Sequence, residues 1–355
     1  MDTPKKYGWN DKLEQAWKKL DTEGLRPGRV VADFGTSLKV VTPDVITAEL
    51  SGKLAHYSNR LDAPKVGDWV ALRVSDNGHA VIESTLERRS EIARKAPGKQ
   101  TIKQIIAANV DIAFVLLAVG GDFSVERLRR YLFQLSIYDI TPVVVINKAD
   151  RTDDLESLVA QIKPFNVPVL ATIATEGVGV DAIREWILPG RTAILLGSSG
   201  VGKSTITNQL LGRDAQATQE VRQSDDTGKH TTVHRELFVL PGGGLLIDTP
   251  GIRELQLWGT EEDLYGSFDD IVRLTGQCAF SSCQHGSEDG CAVQRALSAG
   301  LLTQDKFDAY LTMKAELVKL KTREIAKKKR TNAKSKRNRE REDRDLIKEM
   351  HEDLY

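Results

Sequence analysis

Residues 197–205 read Gly-Ser-Ser-Gly-Val-Gly-Lys-Ser-Thr, and this stretch decides the class of fold. It matches the P-loop pattern, whose glycines let backbone N–H groups turn towards phosphate oxygens. An apolar run at 192–196 predicts a strand before it, and a helix is predicted over 203–211. The N-terminus of such a helix favours anions through its dipole. The stretch therefore predicts a nucleotide-binding α/β domain with a mainly parallel sheet.

The P-loop pattern assigns roles to individual side chains. Lys203 is predicted to bridge the β- and γ-phosphates and to be catalytic, and the Ser204 hydroxyl to bind Mg²⁺. A second apolar strand ends in Asp248, which is placed to hold Mg²⁺ through water, and the N–H of Gly251 follows at the γ-phosphate. Taken alone, Asp-Thr-Pro-Gly at 248–251 is also compatible with a simple turn.

A polar stretch between these motifs has the composition of a switch loop. It contains Gly-Lys-His-Thr-Thr at 228–232. Thr232, with Thr231 as the second choice, is predicted to complete the Mg²⁺ shell when the γ-phosphate is present. Ras-type enzymes carry a water-orienting Gln where this chain has Ile252, so His230 is the candidate to position the attacking water. The alternative is an ordinary surface loop with a solvent-exposed histidine.

The tetrapeptide Asn147-Lys-Ala-Asp150 predicts that the base is guanine. A carboxylate at Asp150 can accept two hydrogen bonds, from guanine N1–H and from the 2-amino group, and adenine lacks this donor pair. The stem of Lys148 can lie over the base, and Asn147 can tie neighbouring loops together. The pattern favours GTP over ATP. The alternative is a P-loop ATPase or kinase with an accidental match.

The order of the motifs is unusual, because the base motif at 147–150 precedes the P-loop and the 248–251 segment. Neither set of motifs is duplicated, so a circular permutation of one GTPase domain explains the order. The chain then runs from the 248–251 segment almost directly into the C-terminal region. A nucleotide-dependent movement near 252–258 is therefore expected to pull on that region.

All three cysteines of the chain fall in one segment with a histidine: Cys278, Cys283, His285 and Cys291. Three thiolates and one imidazole match a closed tetrahedral Zn²⁺ site, which has no position for a reactive water. We therefore predict one structural zinc that holds a small helical domain together. The alternative is three buried cysteines beside a surface histidine.

Composition shifts along the chain predict a multidomain protein. A helical lead-in over 1–27 precedes a five-stranded β-barrel of the OB type over 28–88, and residues 88–100 have the composition of a linker. The GTPase domain is expected over 101–262, the zinc-binding helical domain over 263–320 and a charged tail over 321–355. An OB barrel often binds oligonucleotides, although it can also serve as a spacer.

The formal net charge of zero hides a segregation of charge. Residues 321–344 hold twelve Lys or Arg and four Asp or Glu, which favours an anionic partner such as RNA over a solvated helix without a partner. No apolar run approaches the roughly 18 residues of a membrane span, and the N-terminus lacks the apolar core of a secretory signal. We expect a cytoplasmic protein, a monomer, with no membrane partner.

Six segments together resemble the ribosome small-subunit-dependent GTPase A family (RsgA, also called YjeQ), and the similarity covers Gly28 to Leu320. The resemblance implies a bacterial GTPase that acts late in assembly of the 30S ribosomal subunit and is stimulated by it. It also implies that the barrel and the zinc domain contact 16S ribosomal RNA. An RNA-binding checkpoint, in which GTP is chiefly a binding switch, is the alternative. The segments are Gln104–Asp111, Asn147–Asp150, Gly197–Thr205, Gly228–Thr232, Leu240–Glu254 and Cys278–Val293.

By this resemblance Ile173-Ala174 matches the family's second base-contact loop, and the N–H of Ala174 is expected to contact guanine. Mg²⁺ accompanies the nucleotide, with Ser204 and Thr232 as ligands. The residues predicted to bind GTP or GDP are Asn147, Lys148, Ala149, Asp150, Ala174, Gly197, Ser198, Ser199, Gly200, Val201, Gly202, Lys203, Ser204, Thr205, Thr232, Asp248 and Gly251.

Overall fold

The computed structural model describes residues 3–20, 22–35, 37–57, 63–76, 78–96, 102–212, 235–249, 257–286 and 288–326. The chain divides into two units. One comprises Met1–Lys95 with Ile102–Trp258, and the other comprises Ala96–Thr101 with Gly259–Tyr355. Among the described residues, no helix combines the length and the apolar character that a membrane crossing requires.

The described part of the N-terminal region forms three short helices and a five-stranded barrel. Alternating apolar residues such as Val30, Val40 and Leu72 point inward and fill the barrel. The strand order β1-β2-β3-β5-β4 closes because β1 also pairs with β4, and β3 runs parallel to β5. This is the OB-type barrel that the sequence predicts. The elements are α1 (Thr3–Lys6), α2 (Asp11–Lys18), β1 (Arg26–Asp33), β2 (Leu38–Thr42), β3 (Asp44–Leu50), α3 (Gly52–Tyr57), β4 (Trp69–Val74) and β5 (Ala80–Thr85).

The stretch after the barrel is a β-hairpin, and the prediction of a linker over 88–100 is wrong for its described part. Strand β6 (Glu91–Lys95) pairs antiparallel with β7 (Lys103–Ala108). Ile92 and Ile106 are buried and belong to the main core of the unit. The basic side chains suggested a solvated linker, but Lys103 and Arg88 both form ion pairs with Glu91. These pairs let a charged strand pack against the domain.

The GTPase domain has a six-stranded sheet with strand order β10-β9-β8-β11-β13-β12. All neighbouring strands are parallel except β12 and β13. Strand β11 enters between β8 and β13, as a permuted domain requires. Two apolar layers cover the two faces of the sheet. The elements are β8 (Ile112–Ala118), α4 (Val125–Ser136), β9 (Thr141–Asn147), α5 (Leu155–Ile162), β10 (Val169–Thr172), α6 (Val180–Trp186), β11 (Thr192–Leu196), α7 (Lys203–Leu211), β12 (Arg235–Val239) and β13 (Leu245–Asp248).

The barrel and the GTPase sheet are joined edge to edge. Strand β1 pairs antiparallel with β12, with Ala32 opposite Glu236 and Asp33 opposite Arg235. The result is one continuous sheet of eleven strands. Backbone hydrogen bonds therefore connect the barrel directly to the strand that follows the predicted switch loop.

A buried arginine reinforces this junction. Arg29 of β1 is 1% exposed, and its guanidinium donates to the Thr192 hydroxyl at 2.9 Å, to the Gly67 carbonyl at 3.2 Å and to the Tyr7 carbonyl. It also lies 5.4 Å from the ring centre of Trp69. Burial lowers the pKa of Arg29 to about 10, so the side chain stays charged at neutral pH. One cation thus ties the N-terminal segment, the barrel and the first residue of β11 together.

The second unit is helical. Helix α8 (Glu261–Ser267) begins with a capping box between Thr260 and Asp263, which satisfies two free N–H groups of the first turn. Helices α9 (Asp269–Thr275) and α10 (Ala292–Ser298) follow, and residues 304–326 are helical. Phe307 and Tyr310 on this last helix are buried.

Replacement of Arg29 by Met tests the junction. The apolar side chain removes the guanidinium that donates to the Tyr7 carbonyl and the buried Thr192 hydroxyl, so we expect the free energy of unfolding to fall by about 3 kcal/mol in urea titrations. Arg73→Met is the matched control, because Arg73 sits on the same barrel in an exposed ion pair with Glu83. We expect the control to change stability by less than about 0.5 kcal/mol. Equal effects of the two variants would contradict this role for Arg29.

Candidate functional site

The P-loop lies between the end of β11 and the start of α7, as the sequence predicts. Gly197 and Gly202 both have positive φ angles, +152° and +110°. A Cβ on Gly202 would lie 2.1 Å from Nδ2 of Asn147, so no larger residue fits there. Helix α7 begins at Lys203 without a side-chain cap. The N–H groups of its first turn, which includes Ser204 and Thr205, are therefore available to an anion.

Lys203 lies over the loop. Its ammonium donates to the carbonyl oxygen of Gly197 at 2.8 Å and to that of Ser198. Burial lowers the pKa of Lys203 to about 8, while the carboxylates of Asp248 and Asp122 act in the opposite direction. The amine is still mostly protonated at neutral pH, which suits a group that binds phosphate oxygens.

The arrangement around Lys203 fits a Mg²⁺–nucleotide complex. Asp248 ends β13, which is the direct neighbour of β11, and is 4% exposed. Ser204 is the second residue of α7, at the other side of the loop. A serine hydroxyl and a carboxylate are oxygen donors of the kind that Mg²⁺ prefers. Of the other predicted ligands in this region, Thr232 and Gly251 lie outside the described residues, as do Thr231 and His230.

The side chain of Asn147 joins the base motif to the P-loop. It is 2% exposed, its amide donates to the Val201 carbonyl at 2.8 Å, and its oxygen accepts from the Thr172 hydroxyl at 3.0 Å and from the Ala174 N–H at 3.2 Å. Lys148 has a left-handed backbone with φ of +58°, and its ammonium donates to the Gly200 carbonyl at 2.8 Å. The structure therefore brings Asn147 and Lys148 onto the P-loop.

Asp150 and Ala174 are the other residues predicted to contact the base. Asp150 lies exposed in the short 3₁₀ helix Ala149–Arg151, at the rim of the site. The N–H of Ala174, which the resemblance assigns to guanine, donates to the Asn147 side chain in this structure. The guanine contact of Ala174 stays a prediction, as do the direct nucleotide contacts of the other residues.

The sequence analysis missed Asp122. This residue follows β8, the neighbour of β11, and its carboxylate accepts a hydrogen bond from the Ser198 hydroxyl of the P-loop. The available signal was its position, because functional groups of open α/β sheets collect beyond the carboxyl ends of the strands.

The predicted metal ligands of the second unit form one cluster. The ligand atoms of Cys278, Cys283, His285 and Cys291 all lie within 4.8 Å of one another. Sγ of Cys278 is 3.9 Å from Sγ of Cys291 and 3.5 Å from Nδ1 of His285. Tetrahedral zinc with ordinary bond lengths would give about 3.8 Å between two sulfurs and about 3.5 Å between sulfur and nitrogen. The four residues therefore fit a tetrahedral metal ion.

Nearby contacts hold the cluster in shape. Gln294 donates from its side chain to the His285 carbonyl at 2.6 Å and from its backbone N–H to the Cys291 sulfur at 3.5 Å. The His285 ring meets Phe307 edge to face, with ring centres 6.2 Å apart. The cluster thus links α10 to the last helix of its unit.

Known proteins with similar sequences identify the family to which this architecture is related. The family model described as RsgA GTPase matches residues 85–258. The chain is 38% identical over 323 residues to the small ribosomal subunit biogenesis GTPase RsgA of Opitutus terrae, which covers 87% of this chain and 88% of that one. It is also 38% identical over 321 residues to the protein of the same name from Leptospira interrogans, with 88% of each chain covered.

Two solved structures are similar. YjeQ from Thermotoga maritima aligns with a TM-score of 0.60 and 26% identity, over 83% of this chain and 99% of that one. YloQ, described as a circularly permuted GTPase, aligns with a TM-score of 0.58 over 84% and 97%, and at 24% identity it supports the fold alone. With its permuted P-loop domain, its OB-type barrel and its Cys/His cluster, the chain belongs to the RsgA GTPase family.

Proposed function

We propose that this protein hydrolyses GTP to GDP and phosphate while bound to the small (30S) ribosomal subunit, and that it assists the late maturation of that subunit. The observation that carries the proposal is the Asn147 side chain, which joins the base motif to the P-loop in one site. Relatives named for small ribosomal subunit biogenesis, at 38% identity over most of the chain, supply the biological setting.

In the proposed reaction the protein mainly positions the phosphates and neutralises charge. Backbone N–H groups of residues 197–202 and the ammonium of Lys203 bind phosphate oxygens. Asp150 accepts from guanine, and Lys148 covers the base. Bound Mg²⁺, with Ser204, Thr232 and Asp248 around it, would supply further neutralisation of phosphate charge. No Gln follows the 248–251 segment, since Ile252 stands there. His230 in its neutral form is proposed to accept a hydrogen bond from the attacking water.

We propose zinc as the ion of the Cys/His cluster, with a structural role. Three thiolates and one imidazole in tetrahedral spacing form the ligand set of structural zinc sites, and all four protein ligand positions are filled. Such a site would contribute folding free energy to this small helical unit.

We propose that 16S ribosomal RNA is the direct contact of the barrel and of the zinc-binding unit. On the barrel the ammonium of Lys39 lies 5.8 Å from the ring centre of Phe34, which is 38% exposed. A half-exposed aromatic beside a cation suits base stacking and phosphate contact. In the second unit Phe280, between two of the cluster cysteines, is 58% exposed. The basic segment 321–344 adds positive charge, and we propose a monomer that acts in the cytoplasm.

A checkpoint that binds RNA, in which GTP chiefly switches affinity, is the second candidate. The pairing of β1 with β12 favours it, because the barrel is hydrogen-bonded to the strand after the switch segment. The two candidates differ in the effect of nucleotide on 30S affinity: a switch requires different affinities with GDP and with a non-hydrolysable GTP analogue.

GTP turnover with and without purified 30S subunits tests the proposed activity. We expect slow turnover by the protein alone and a rise of at least about 100-fold with 30S subunits, the lower end of what a positioned general base contributes. His230→Ala is expected to lose most of the stimulated rate while GTP binding is kept. His234→Ala, in the same stretch of sequence, is the matched control. Unchanged stimulation in His230→Ala, or an equal loss in the control, would remove His230 from the mechanism.

Metal analysis of the purified protein tests the zinc proposal. We expect about one zinc per chain, and loss of this zinc together with a lower Tm in Cys283→Ala, because a structural zinc contributes folding free energy. Ser282→Ala, one residue away and exposed, should keep both. A different metal in the wild-type protein, or full zinc content in Cys283→Ala, would contradict the assignment.

A further inference from the structure

Asp122 is an acidic residue that contacts the P-loop and lies outside the P-loop and base motifs. It lies in the loop between β8 and α4, and β8 is the direct neighbour of the P-loop strand β11. Its side chain is 25% exposed, so it sits at the edge of the site rather than on the open surface.

The contacts of Asp122 connect the P-loop to helix α4. Oδ1 accepts from the Ser198 hydroxyl and, at 2.6 Å, from Nη1 of Arg127. Arg127 also donates to the Asp122 backbone carbonyl at 3.2 Å, and the N–H of Ala118 reaches Oδ2 at 3.4 Å. Arg127 lies in the first turn of α4, where the N-cap Ser124 accepts from its backbone N–H. Arg127 and the Ala118 N–H therefore fix the carboxylate, which in turn accepts a hydrogen bond from the Ser198 hydroxyl.

Ser198 connects Asp122 to the lysine that binds phosphate. The Ser198 carbonyl accepts a hydrogen bond from Lys203, while the Ser198 hydroxyl is bound by Asp122. Two negative groups act on Lys203 by charge, Asp122 from the loop before α4 and Asp248 from β13. Arg127 of α4 forms an ion pair with the Asp122 carboxylate. A change at Asp122 is therefore expected to alter the path of the P-loop and, through the Ser198 carbonyl, the position of the Lys203 ammonium.

We propose that Asp122 is a positioning residue of the phosphate site, which fixes the P-loop through the Ser198 hydroxyl. The inference rests on the proposed function, because it requires that GTP binds at this P-loop. Asp122 is far from the P-loop in sequence. It belongs to the segment that precedes the P-loop in a permuted domain.

Nucleotide affinity tests the hydrogen-bonded part of the proposal. Asp122→Ala and Ser198→Ala are each expected to raise the Kd for GTP about tenfold, the effect of losing a charge-assisted hydrogen bond. The double variant should be no weaker than the single ones, since both changes remove the same contact. Additive losses would contradict a shared contact. Asp269→Asn, which changes an exposed carboxylate paired with Arg273 in the second unit, is the control and should bind like the wild type.

A conservative variant separates positioning from a merely structural role. Asp122→Asn keeps an oxygen acceptor for the Ser198 hydroxyl, so it should bind GTP more tightly than Asp122→Ala does. The Tm of each variant is measured beside its Kd. An Asp122→Asn variant that binds GTP as weakly as Asp122→Ala, or losses of affinity that only follow the losses of Tm, would overturn the proposal.

If the wild-type protein does not bind GTP, the proposed function fails. If the wild type binds GTP and the variants of Asp122 and Ser198 bind it equally well, only this inference fails.

Discussion

The nucleotide site depends on one buried side-chain amide, that of Asn147. The base motif at 147–150 and the P-loop at 197–205 lie on separate segments that only tertiary structure can join. The amide joins them by donating to the Val201 carbonyl and accepting from Thr172 and Ala174. The fit is tight enough to require glycine at position 202, where a Cβ would lie 2.1 Å from the amide nitrogen. The loops that carry Asn147 and Ala174 and the P-loop therefore keep one relative geometry.

The second organising feature is that strand β11 is held at both ends. At its start Thr192 accepts from the buried Arg29, and its N–H donates to Asp111 at 2.8 Å. At its end Lys203 bonds back to the Gly197 carbonyl. Because Arg29 belongs to the barrel, and because β1 also pairs with β12, the barrel is built into the sheet that carries the nucleotide site. A partner that displaces the barrel would act on that sheet through backbone hydrogen bonds.

Much of this could be predicted from the sequence, because local signals were strong. Short β-like runs separated by Gly, Pro, Asn and Asp predicted the five barrel strands, and the P-loop pattern predicted β11 and α7 with their observed bounds. The ligand spacing gave the Cys/His cluster that the structure assembles. The domain boundaries and the nucleotide contacts of individual residues remain predictions.

The rest depended on contacts between residues far apart in the chain. The β6–β7 hairpin was taken for a linker, because its basic side chains hide the buried Ile92 and Ile106. The pairing of β1 with β12 has no signature in either strand, since edge pairing depends on three-dimensional proximity. Asp122 is a single acid without a motif, and only the structure shows that it reaches the P-loop.

If this P-loop site recognises guanine through Asp150, a substitution of Asp150 should change which base the protein binds. An asparagine at this position would accept from N1–H and donate to a 2-carbonyl, which matches xanthine instead of guanine. The account predicts that the wild type binds GTP far more tightly than ATP or xanthosine triphosphate, and that Asp150→Asn reverses the preference between GTP and xanthosine triphosphate. Equal binding of ATP and GTP by the wild type, or unchanged GTP affinity in Asp150→Asn, would contradict it.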